Sequence, residues 1–256
     1  MTKSLRSDLR HALDAGAWAK EVLREKLDDA QGRILRSESK RGVLNCHRQW
    51  GKSTVMAARS AHRMIYRPPW FTVCIAPSGR QAAELRNKIE SCVRRGLGIE
   101  PKGDGDNEIS IVLPNGSRFV GLPDTEGRMR GFGAVNDLLI DEAARVKDDT
   151  YKAARPFVAA VDGSIWMMST PWGKRGFFYR AASSNLPGWE RIQVTAEESG
   201  RFSQEWLDEE RDGDQGLGPL WFSQEYEGKF VDTSESMFSH DAVLDVITPD
   251  VRRLVL

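Results

Sequence analysis

The sequence contains few of the residues that form crosslinks or structural metal sites. Its 256 residues include only three cysteines, at positions 46, 74 and 92, and four histidines, at positions 11, 47, 62 and 240. The cysteines are odd in number and none forms a Cys-x-x-Cys pair, and no set of cysteines and histidines has zinc-ligand spacing. The sequence therefore predicts neither a disulfide framework nor a structural zinc site.

Long apolar runs and net charge are also lacking. No run of apolar residues is long enough to span a bilayer, and the N-terminus, MTKSLRSDLRHALDAG, has no signal-peptide core. The 37 basic and 37 acidic residues cancel, so any contact with nucleic acid must come from local patches. Basic side chains cluster at 24–41, 59–67 and 80–95, and on helices these usually form solvated surface. We expect a protein of the cytoplasm.

What the sequence does contain is the patterning of an α/β protein. Apolar residues at three- and four-residue intervals predict a helix from about 5 to 30 and another over 78–94. Short apolar runs predict strands near 43–45, 71–77, 137–140 and 164–168, and an Asn-Gly turn predicts a hairpin of 109–113 with 118–122. Continuously apolar strands are typical of a parallel sheet covered by helices on both faces.

The pattern changes after about residue 185. A further strand is expected within 189–194, a helix over 203–211, and an aromatic segment, WFSQEYEGKF, after a glycine-rich break at 213–219. The aromatic residues of that segment are expected to pack within a small subdomain. We therefore divide the chain into a core at 1–185 with an N-terminal helical segment, and a small lid or linker subdomain with a tail at 186–256.

The first chemical motif is HRQWGKST, residues 47–54. Gly51, Lys52 and Ser53 match the end of a phosphate-binding loop, but Cys46 stands where the opening glycine usually is, and Arg48 lies inside the loop. A strand precedes the motif and a helix follows it, so loop amides and the helix dipole could hold the β- and γ-phosphates. Lysine would reach those oxygens and the serine would bind Mg²⁺. The alternative is a chance match in a surface turn.

The second motif places two carboxylates at the end of a buried strand. Asp141 and Glu142 follow the predicted strand 137–140, where a Walker B aspartate holds Mg²⁺ and the next glutamate activates water. The alternative is an acidic helix cap after a core strand. A third element, Ser169, Thr170 and Pro171, ends another buried strand with hydroxyls that could sense the γ-phosphate. Its alternative is a strand running into a proline turn.

Taken in order, these motifs resemble the N-terminal ATPase domain of the large terminase subunit of tailed bacteriophages and prophages, the motor that packages double-stranded DNA into a procapsid. The resemblance runs from about Asp29 to Val231. It rests on LNCHRQWGKST at 44–54, IAPSGRQA at 75–82, MRG at 129–131, LIDEA at 139–143, STP at 169–171 and GFFY at 176–179.

The resemblance implies roles for particular residues. In this family the loop commonly lacks its first glycine and carries an arginine at the position of Arg48, and the Ser169 to Pro171 stretch looks like the motif that couples hydrolysis to DNA movement. Gln31 resembles an adenine-reading glutamine, although the usual aromatic neighbour is Ala30 here. The implied nucleotide-binding residues are Gln31, Cys46, His47, Arg48, Gln49, Trp50, Gly51, Lys52, Ser53, Thr54 and Tyr179.

Two arginines are candidates for triggering hydrolysis. Arg130 is similar in position to an arginine that some terminases insert into a neighbouring subunit's site, and Arg48 could act in cis. Either could instead be a solvated loop charge or a contact to a DNA phosphate. Trp50 could shield the nucleotide, or it could pack against a neighbouring helix.

The resulting prediction is a P-loop NTPase of the RecA-like additional-strand, catalytic-glutamate (ASCE) type that uses ATP and Mg²⁺. The resemblance implies double-stranded DNA, a portal protein and a small terminase subunit as partners, and a homo-oligomeric ring. The tail after Phe230 is too short for a nuclease domain, so we expect no DNA cleavage, whether the chain is cut at a domain boundary or is a natural short ATPase. Two alternatives stay open: a helicase-like DNA-dependent ATPase, and a nucleotide-gated assembly scaffold without turnover.

Overall fold

The computed structural model describes residues 5–125, 131–185 and 187–232. Its helices are Leu5–Leu13 (α1), Ala15–Glu21 (α2), Asp29–Arg36 (α3), Lys52–Tyr66 (α4), Gly79–Leu97 (α5), Asp148–Ala154 (α6), Gly176–Ser183 (α7), Ala196–Ser199 (α8), Gln204–Asp212 (α9) and Pro219–Glu225 (α10). Its strands are Arg41–Cys46 (β1), Phe71–Ala76 (β2), Ser110–Val112 (β3), Arg118–Pro123 (β4), Asp137–Asp141 (β5), Ser164–Ser169 (β6) and Glu190–Val194 (β7). Two 3-10 helices, Ala143–Arg145 and Arg155–Val161, complete these ranges.

The strands form one sheet of seven in the order β3-β4-β2-β5-β6-β1-β7. All neighbouring pairs are parallel except β3 with β4. Because β1 and β5 both lie beside β6, the carboxyl ends of these three strands meet at one edge, where parallel α/β sheets bind ligands. The predicted mainly parallel sheet with flanking helices is confirmed.

Alternate residues of the central strands enter two separate hydrophobic cores. In β6, Trp166 and Met168 pack into a core with helices α2 to α5, and Ile165 and Met167 pack into a core with α6 and α7. Every residue of β2, β5 and β6 is buried. Burial on both faces explains why these strands have continuous apolar sequences.

The single N-terminal helix predicted over 5–30 is wrong. The chain forms α1 and α2 with a break at Asp14, whose carboxylate accepts hydrogen bonds from the amides of Gly16 and Ala17 at 2.8 and 3.0 Å. Residues 23–28 are not helical, and Asp28 starts α3 through a capping box with Gln31. Aspartate side chains favour helix starts over helix interiors because they bond the free amides there.

One predicted surface cluster is also corrected. The basic residues at 59–67 were expected to be mostly solvated, but Arg59 and Arg63 on α4 are 1% and 6% exposed. Both guanidiniums face Asp137 at the start of β5, Arg63 at 2.9 Å and Arg59 at 3.5 Å. These two arginines are therefore structural, and neither is available to track DNA.

The C-terminal elements lie partly in the sheet and partly beyond it. The hairpin of β3 and β4 forms around the predicted Asn-Gly turn, and β7 pairs with β1 at the opposite edge. The sheet thus continues past residue 186, the predicted start of the second unit. Helices α8 to α10 gather around a small cluster of their own, Ala196, Leu207, Phe222 and Tyr226. Among the described helices, none has the length and apolar character needed to cross a membrane.

Candidate nucleotide site

The loop between β1 and α4 turns sharply just before the helix. Gly51 precedes α4 with φ of 101°, and Gln49 also has positive φ, 64°. A side chain at position 51 would be strained at this φ and would come within about 3.1 Å of the Gln31 amide nitrogen. Glycine therefore lets the loop enter α4 with its first amides unpaired within the helix, an arrangement that attracts anions.

Lys52, the first residue of α4, is held at the base of this loop. Its Nζ donates to the carbonyl oxygens of Cys46 at 2.9 Å and His47 at 3.0 Å, and only 8% of the residue is exposed. Burial lowers the pKa of Lys52, and the Glu142 carboxylate acts against that shift. The loop thus positions one buried cation beneath the opening where phosphates would enter.

The two predicted carboxylates lie opposite the loop. Asp141 ends β5, and Glu142 follows in the left-handed region with φ of 47°. The Oδ2 of Asp141 lies 3.5 Å from the Ser53 hydroxyl, and the Glu142 amide donates to its Oδ1 at 3.0 Å. Burial raises the pKa of Asp141 to about 6, and the negative charge of Glu142 adds to the shift.

These groups fit a magnesium ion. A buried carboxylate beside a like charge favours a bound cation, and Mg²⁺ commonly takes one or two protein oxygens with phosphate and water completing its shell. Ser53 and Asp141 supply such a pair. In the described ranges no group of three or more His, Cys, Asp and Glu side chains could hold a metal alone, so the remaining ligands would be phosphate and water.

The predicted coupling residues meet the carboxylates at the end of β6. The Ser169 hydroxyl donates to Oε2 of Glu142 at 3.4 Å, and both Ser169 and Thr170 are buried. This contact exists because β6 pairs with β5 on one side and β1 on the other. Strand β6 therefore touches both the loop strand and the carboxylate strand.

These elements enclose a cavity of about 610 Å³. That volume is within the usual range of small-molecule sites. The lining residues are Arg48, Gln49, Gly51, Lys52, Ser53, Thr54, Gln81, Lys88, Glu142, Arg145, Thr170 and Glu225.

Several predicted nucleotide-binding side chains face away from this cavity. Cys46, His47 and Trp50 are fully buried, so the loop would offer backbone atoms at these positions. The Trp50 indole donates to Oδ2 of Asp28 at 2.9 Å and packs in the core. Of the two positions considered for Trp50, the structure thus shows packing in the protein and not exposure to the cavity.

Gln31 and Tyr179 also lie outside the cavity lining. The Gln31 amide nitrogen donates to the Trp50 carbonyl at 3.1 Å, and its side-chain oxygen accepts from the Asp28 amide at 3.2 Å. In this arrangement Gln31 ties α3 to the loop. Tyr179 packs on α7 against Phe230, with ring centroids 5.0 Å apart. Adenine reading by Gln31 stays a prediction, as does a nucleotide contact by Tyr179.

Of the two trigger candidates, only Arg48 lies in the described part of the chain; Arg130 lies outside the described residues. The Arg48 side chain is 69% exposed and its Nη1 is 3.7 Å from a carboxylate oxygen of Glu225 on α10. The Arg48 amide donates to the Glu225 carbonyl at 2.9 Å. The structure thus places Arg48 at the cavity rim, against the last helix.

Four lining residues were not predicted as site residues: Gln81, Lys88, Arg145 and Glu225. Helical spacing could have indicated Lys88, because it lies seven residues after Gln81 and thus on the same face of α5. Arg145 lies one 3-10 turn after Glu142, which also returns it to the same side. For Glu225 no local signal exists, because its contact with the loop depends on how α10 folds back.

The sheet order, the glycine-lysine-serine loop and the adjacent carboxylates define a P-loop NTPase of the RecA-like ASCE class. Comparison with known proteins then gives the family. The family "Terminase large subunit, T4likevirus-type, N-terminal" matches residues 45–244, and the chain belongs to it. The predicted family resemblance is confirmed.

Individual relatives agree with this assignment. The large terminase subunit of Thermus virus P23-45 is 25% identical over 268 aligned positions, covering 91% of this chain and 54% of that protein. The chain thus spans about half the length of this curated relative.

Solved structures of phage terminases share the fold. The large terminase ATPase domain of Thermus phage P74-26 has a TM-score of 0.72 at 24% identity, covering 83% of this chain and 97% of that one. The large terminase of a thermophilic bacteriophage, solved in complex with ADP, has a TM-score of 0.62 at 15% identity, covering 80% and 54%. At these identities the likeness establishes the fold.

Proposed function

We propose that this chain hydrolyses ATP and that the hydrolysis drives double-stranded viral DNA into a procapsid. The observation that carries the proposal is that Lys52, Ser53 and Glu142 line one cavity at the carboxyl edge of the sheet. Asp141 and Ser169 lie behind it, within hydrogen-bond distance of Ser53 and Glu142 respectively. Membership of the terminase large-subunit family supports the DNA-packaging role. A related large terminase solved with ADP supports the choice of nucleotide.

In this proposal the loop binds the phosphates. The amides at the start of α4 and the Lys52 ammonium hold the β- and γ-phosphates, and Lys52 exchanges its bonds to the loop carbonyls for phosphate oxygens. Ser53 and Asp141 would hold Mg²⁺, and the bound ion would supply positive charge against the phosphate oxygens. The orientation of the nucleotide thus depends on β1, α4 and β5 together.

Glu142 orients and activates the attacking water. It directly follows the last residue of β5, and the Ser169 hydroxyl at 3.4 Å can hold its carboxylate in place before the reaction. A carboxylate positioned next to a nucleophilic water typically accounts for about 10²–10⁴-fold of the rate. Loss of the γ-phosphate would change the Glu142 to Ser169 contact, which makes the Ser169 to Pro171 stretch the coupling element.

An arginine completes the site. Arg48 can act in cis from the cavity rim, and Arg130 can act in trans from a neighbouring subunit of a ring. The proposed partners are double-stranded DNA, a portal protein, a small terminase subunit and further copies of this chain, in the cytoplasm of the infected bacterium. Helices α8 to α10 are proposed to form a lid over the cavity.

Substitution of Glu142 by Gln tests the proposal. Because the amide cannot accept the water proton, steady-state phosphate release with DNA and packaging partners should fall by about 10²-fold or more. Nucleotide binding, measured by calorimetry, should persist. The matched control is Glu84→Gln, which removes an exposed carboxylate on α5 that pairs with Arg80.

The outcomes separate the candidate functions. If the wild-type protein binds ATP but shows no turnover, and Glu142→Gln changes nothing, the motor proposal fails and a nucleotide-gated scaffold explains the site. If turnover requires DNA, requires no packaging partner and leads to strand separation, the helicase-like alternative replaces the motor proposal.

Mixed assemblies test the origin of the arginine. Subunits with Arg130→Ala keep an intact Glu142, and subunits with Glu142→Gln keep an intact Arg130. If Arg130 acts in trans, mixing the two should restore turnover at the interfaces that combine both intact groups. Mixtures as inactive as the separate variants would remove the support for Arg130, and Arg48→Ala would then be the next variant to assay.

A further inference from the structure

Arg145 stands at the edge of the cavity, close to the catalytic carboxylate. It ends the 3-10 helix that follows Glu142, and its amide donates to the Glu142 carbonyl at 2.8 Å. Its side chain is exposed and lines the cavity. Within the described ranges no carboxylate lies at ion-pair distance from this guanidinium. The cavity edge thus carries a guanidinium that forms no ion pair with a described carboxylate.

The guanidinium of Arg145 rests on an aromatic ring. Its Cζ lies 3.9 Å from the ring centroid of Trp172, a cation–π contact. Trp172 comes directly after Pro171, the last of the three coupling residues. The ring of Trp172 in turn lies 5.7 Å from that of Trp221 on α10, with an interplanar angle of 46°. Side chains in contact therefore connect the cavity to the C-terminal helices.

Helix α10 meets the site at a second point. Glu225, four residues after Trp221 and so on the same face of the helix, contacts Arg48 through its carbonyl and its carboxylate. One face of α10 therefore touches both the phosphate loop and the Trp172 ring. A shift at either contact would move the same helix.

We propose that Arg145 binds the terminal phosphate of ATP in cis, and that its exchange between that phosphate and Trp172 transmits the presence of the phosphate to α10. The inference rests on the proposed ATP-binding function. Charge-assisted hydrogen bonds between a guanidinium and a phosphate are stronger than an exposed cation–π contact. ADP lacks the terminal phosphate and leaves Arg145 on the ring. Arg145 thus distinguishes the two nucleotides.

Nucleotide binding to the full chain gives the first test. Calorimetry with ATP-γ-S and with ADP should show that Arg145→Ala weakens ATP-γ-S by about tenfold or more and leaves ADP unchanged. Arg145→Lys keeps the charge without the forked donors, so its affinity for ATP-γ-S should lie between those of the wild type and Arg145→Ala. The matched control is Arg155→Ala, another exposed arginine that lies over a ring, Tyr151, away from the cavity.

Tryptophan fluorescence gives a readout that a merely structural arginine would not affect. ATP-γ-S should change the emission more than ADP does, because it removes the cation from Trp172. The chain has eight tryptophans, so Trp172→Phe is needed to assign the signal, and it should abolish the difference. Arg145→Ala should abolish it as well. Trp221→Phe should keep the effect of Arg145 on affinity while altering the emission.

The outcomes are distinguishable. If Arg145→Ala keeps both the affinity ratio and the nucleotide-dependent emission of the wild type, the inference is overturned. In that case the proposed function stands, provided that Lys52→Ala loses both nucleotides. A wild-type chain that binds neither nucleotide overturns the proposed function and this inference with it.

Discussion

The two ends of strand β5 carry one aspartate each, in opposite electrostatic surroundings. Asp137 at the amino end is fully buried and accepts from Arg63 at 2.9 Å and from the Trp70 indole at 3.1 Å, with Ser164 as a further donor. Asp141 at the carboxyl end is 6% exposed and has Glu142 beside it. Three residues of one strand thus separate a carboxylate that is paired with buried guanidiniums from a carboxylate that lies beside a like charge.

These surroundings shift the pKa values of the two aspartates in opposite directions. Burial alone would raise the pKa of Asp137, but Arg63, Arg59 and the neighbouring donors outweigh it and hold the pKa below its usual value. At Asp141 burial dominates and raises the pKa to about 6. The amino end of the strand therefore stabilises the fold, whereas the carboxyl end retains unfavourable charge that a cation and phosphates can relieve. Removing charge should have opposite effects at the two ends.

The largest expected effect on stability is at the amino end. Asp137→Asn removes the buried counter-charge of Arg59 and Arg63 and leaves Arg63 only the exposed Glu38 carboxylate at 3.8 Å. Breaking a buried ion pair in this way costs about 3–5 kcal/mol. Urea denaturation should show this loss in the free energy of unfolding. The control is Asp149→Asn, whose side chain is 89% exposed and pairs with Lys152. Equal stability of Asp137→Asn and wild type would contradict a structural role for the cluster.

The pH dependence of that loss follows from the lowered pKa. A carboxylate with a depressed pKa stabilises the fold above its unfolded pKa, and this contribution disappears as the pH falls through the folded value. The stability gap between wild type and Asp137→Asn should thus be constant above about pH 5 and shrink below about pH 4. Denaturation midpoints measured across this range check the sign. A gap that widens towards low pH would disagree with the assignment.

A smaller effect of opposite sign is expected at the carboxyl end. Without nucleotide or Mg²⁺, Asp141→Asn removes a buried charge beside Glu142, so it should raise the free energy of unfolding by about 1–3 kcal/mol above pH 6. The raised pKa means that wild type binds this proton more tightly when folded, so the gain should vanish below about pH 4.

Saturating MgATP should make the wild type more stable to unfolding than Asp141→Asn. Stabilisation by a ligand grows with its affinity for the folded state, and Asp141→Asn lacks a proposed metal ligand. Thermal unfolding with and without MgATP measures both effects. If Asp141→Asn is less stable than wild type even without ligand, the carboxyl end is structural as well, and the contrast between the two ends of β5 is lost.

The sequence predicts the strand but not this division of roles. The run Leu138, Leu139, Ile140 indicates a buried strand because apolar side chains on both faces need two cores, and the two carboxylates after it match a known motif. Nothing in the local sequence distinguishes the structural role of Asp137 from the site role of Asp141. Its partners Arg59 and Arg63 lie more than seventy residues earlier, in a basic segment whose sequence predicts a solvated helix face.

The cavity also contains both residues that the sequence predicts and residues that it does not. Lys52, Ser53 and Glu142 could be placed because strand ends and helix starts fix them at the edge of a parallel sheet. Gln31, by contrast, lies outside the cavity lining, because the capping box of α3 and the Trp50 carbonyl hold its side-chain amide. Glu225 reaches the loop only through the packing of α10, and such long-range contacts leave no periodic signal.

The smallest effect tests whether the amino-end cluster acts as a unit. Trp70→Phe removes the indole donor to Asp137 at 3.1 Å and keeps an aromatic ring beside Arg63, so it should lower the free energy of unfolding by about 1–2 kcal/mol without altering ATP turnover. Trp189→Phe, a half-buried tryptophan before β7, is the control. In the Asp137→Asn background the cost of Trp70→Phe should shrink, because the charged acceptor is already gone. Additive losses in this double-mutant cycle would show that the indole and the carboxylate contribute independently.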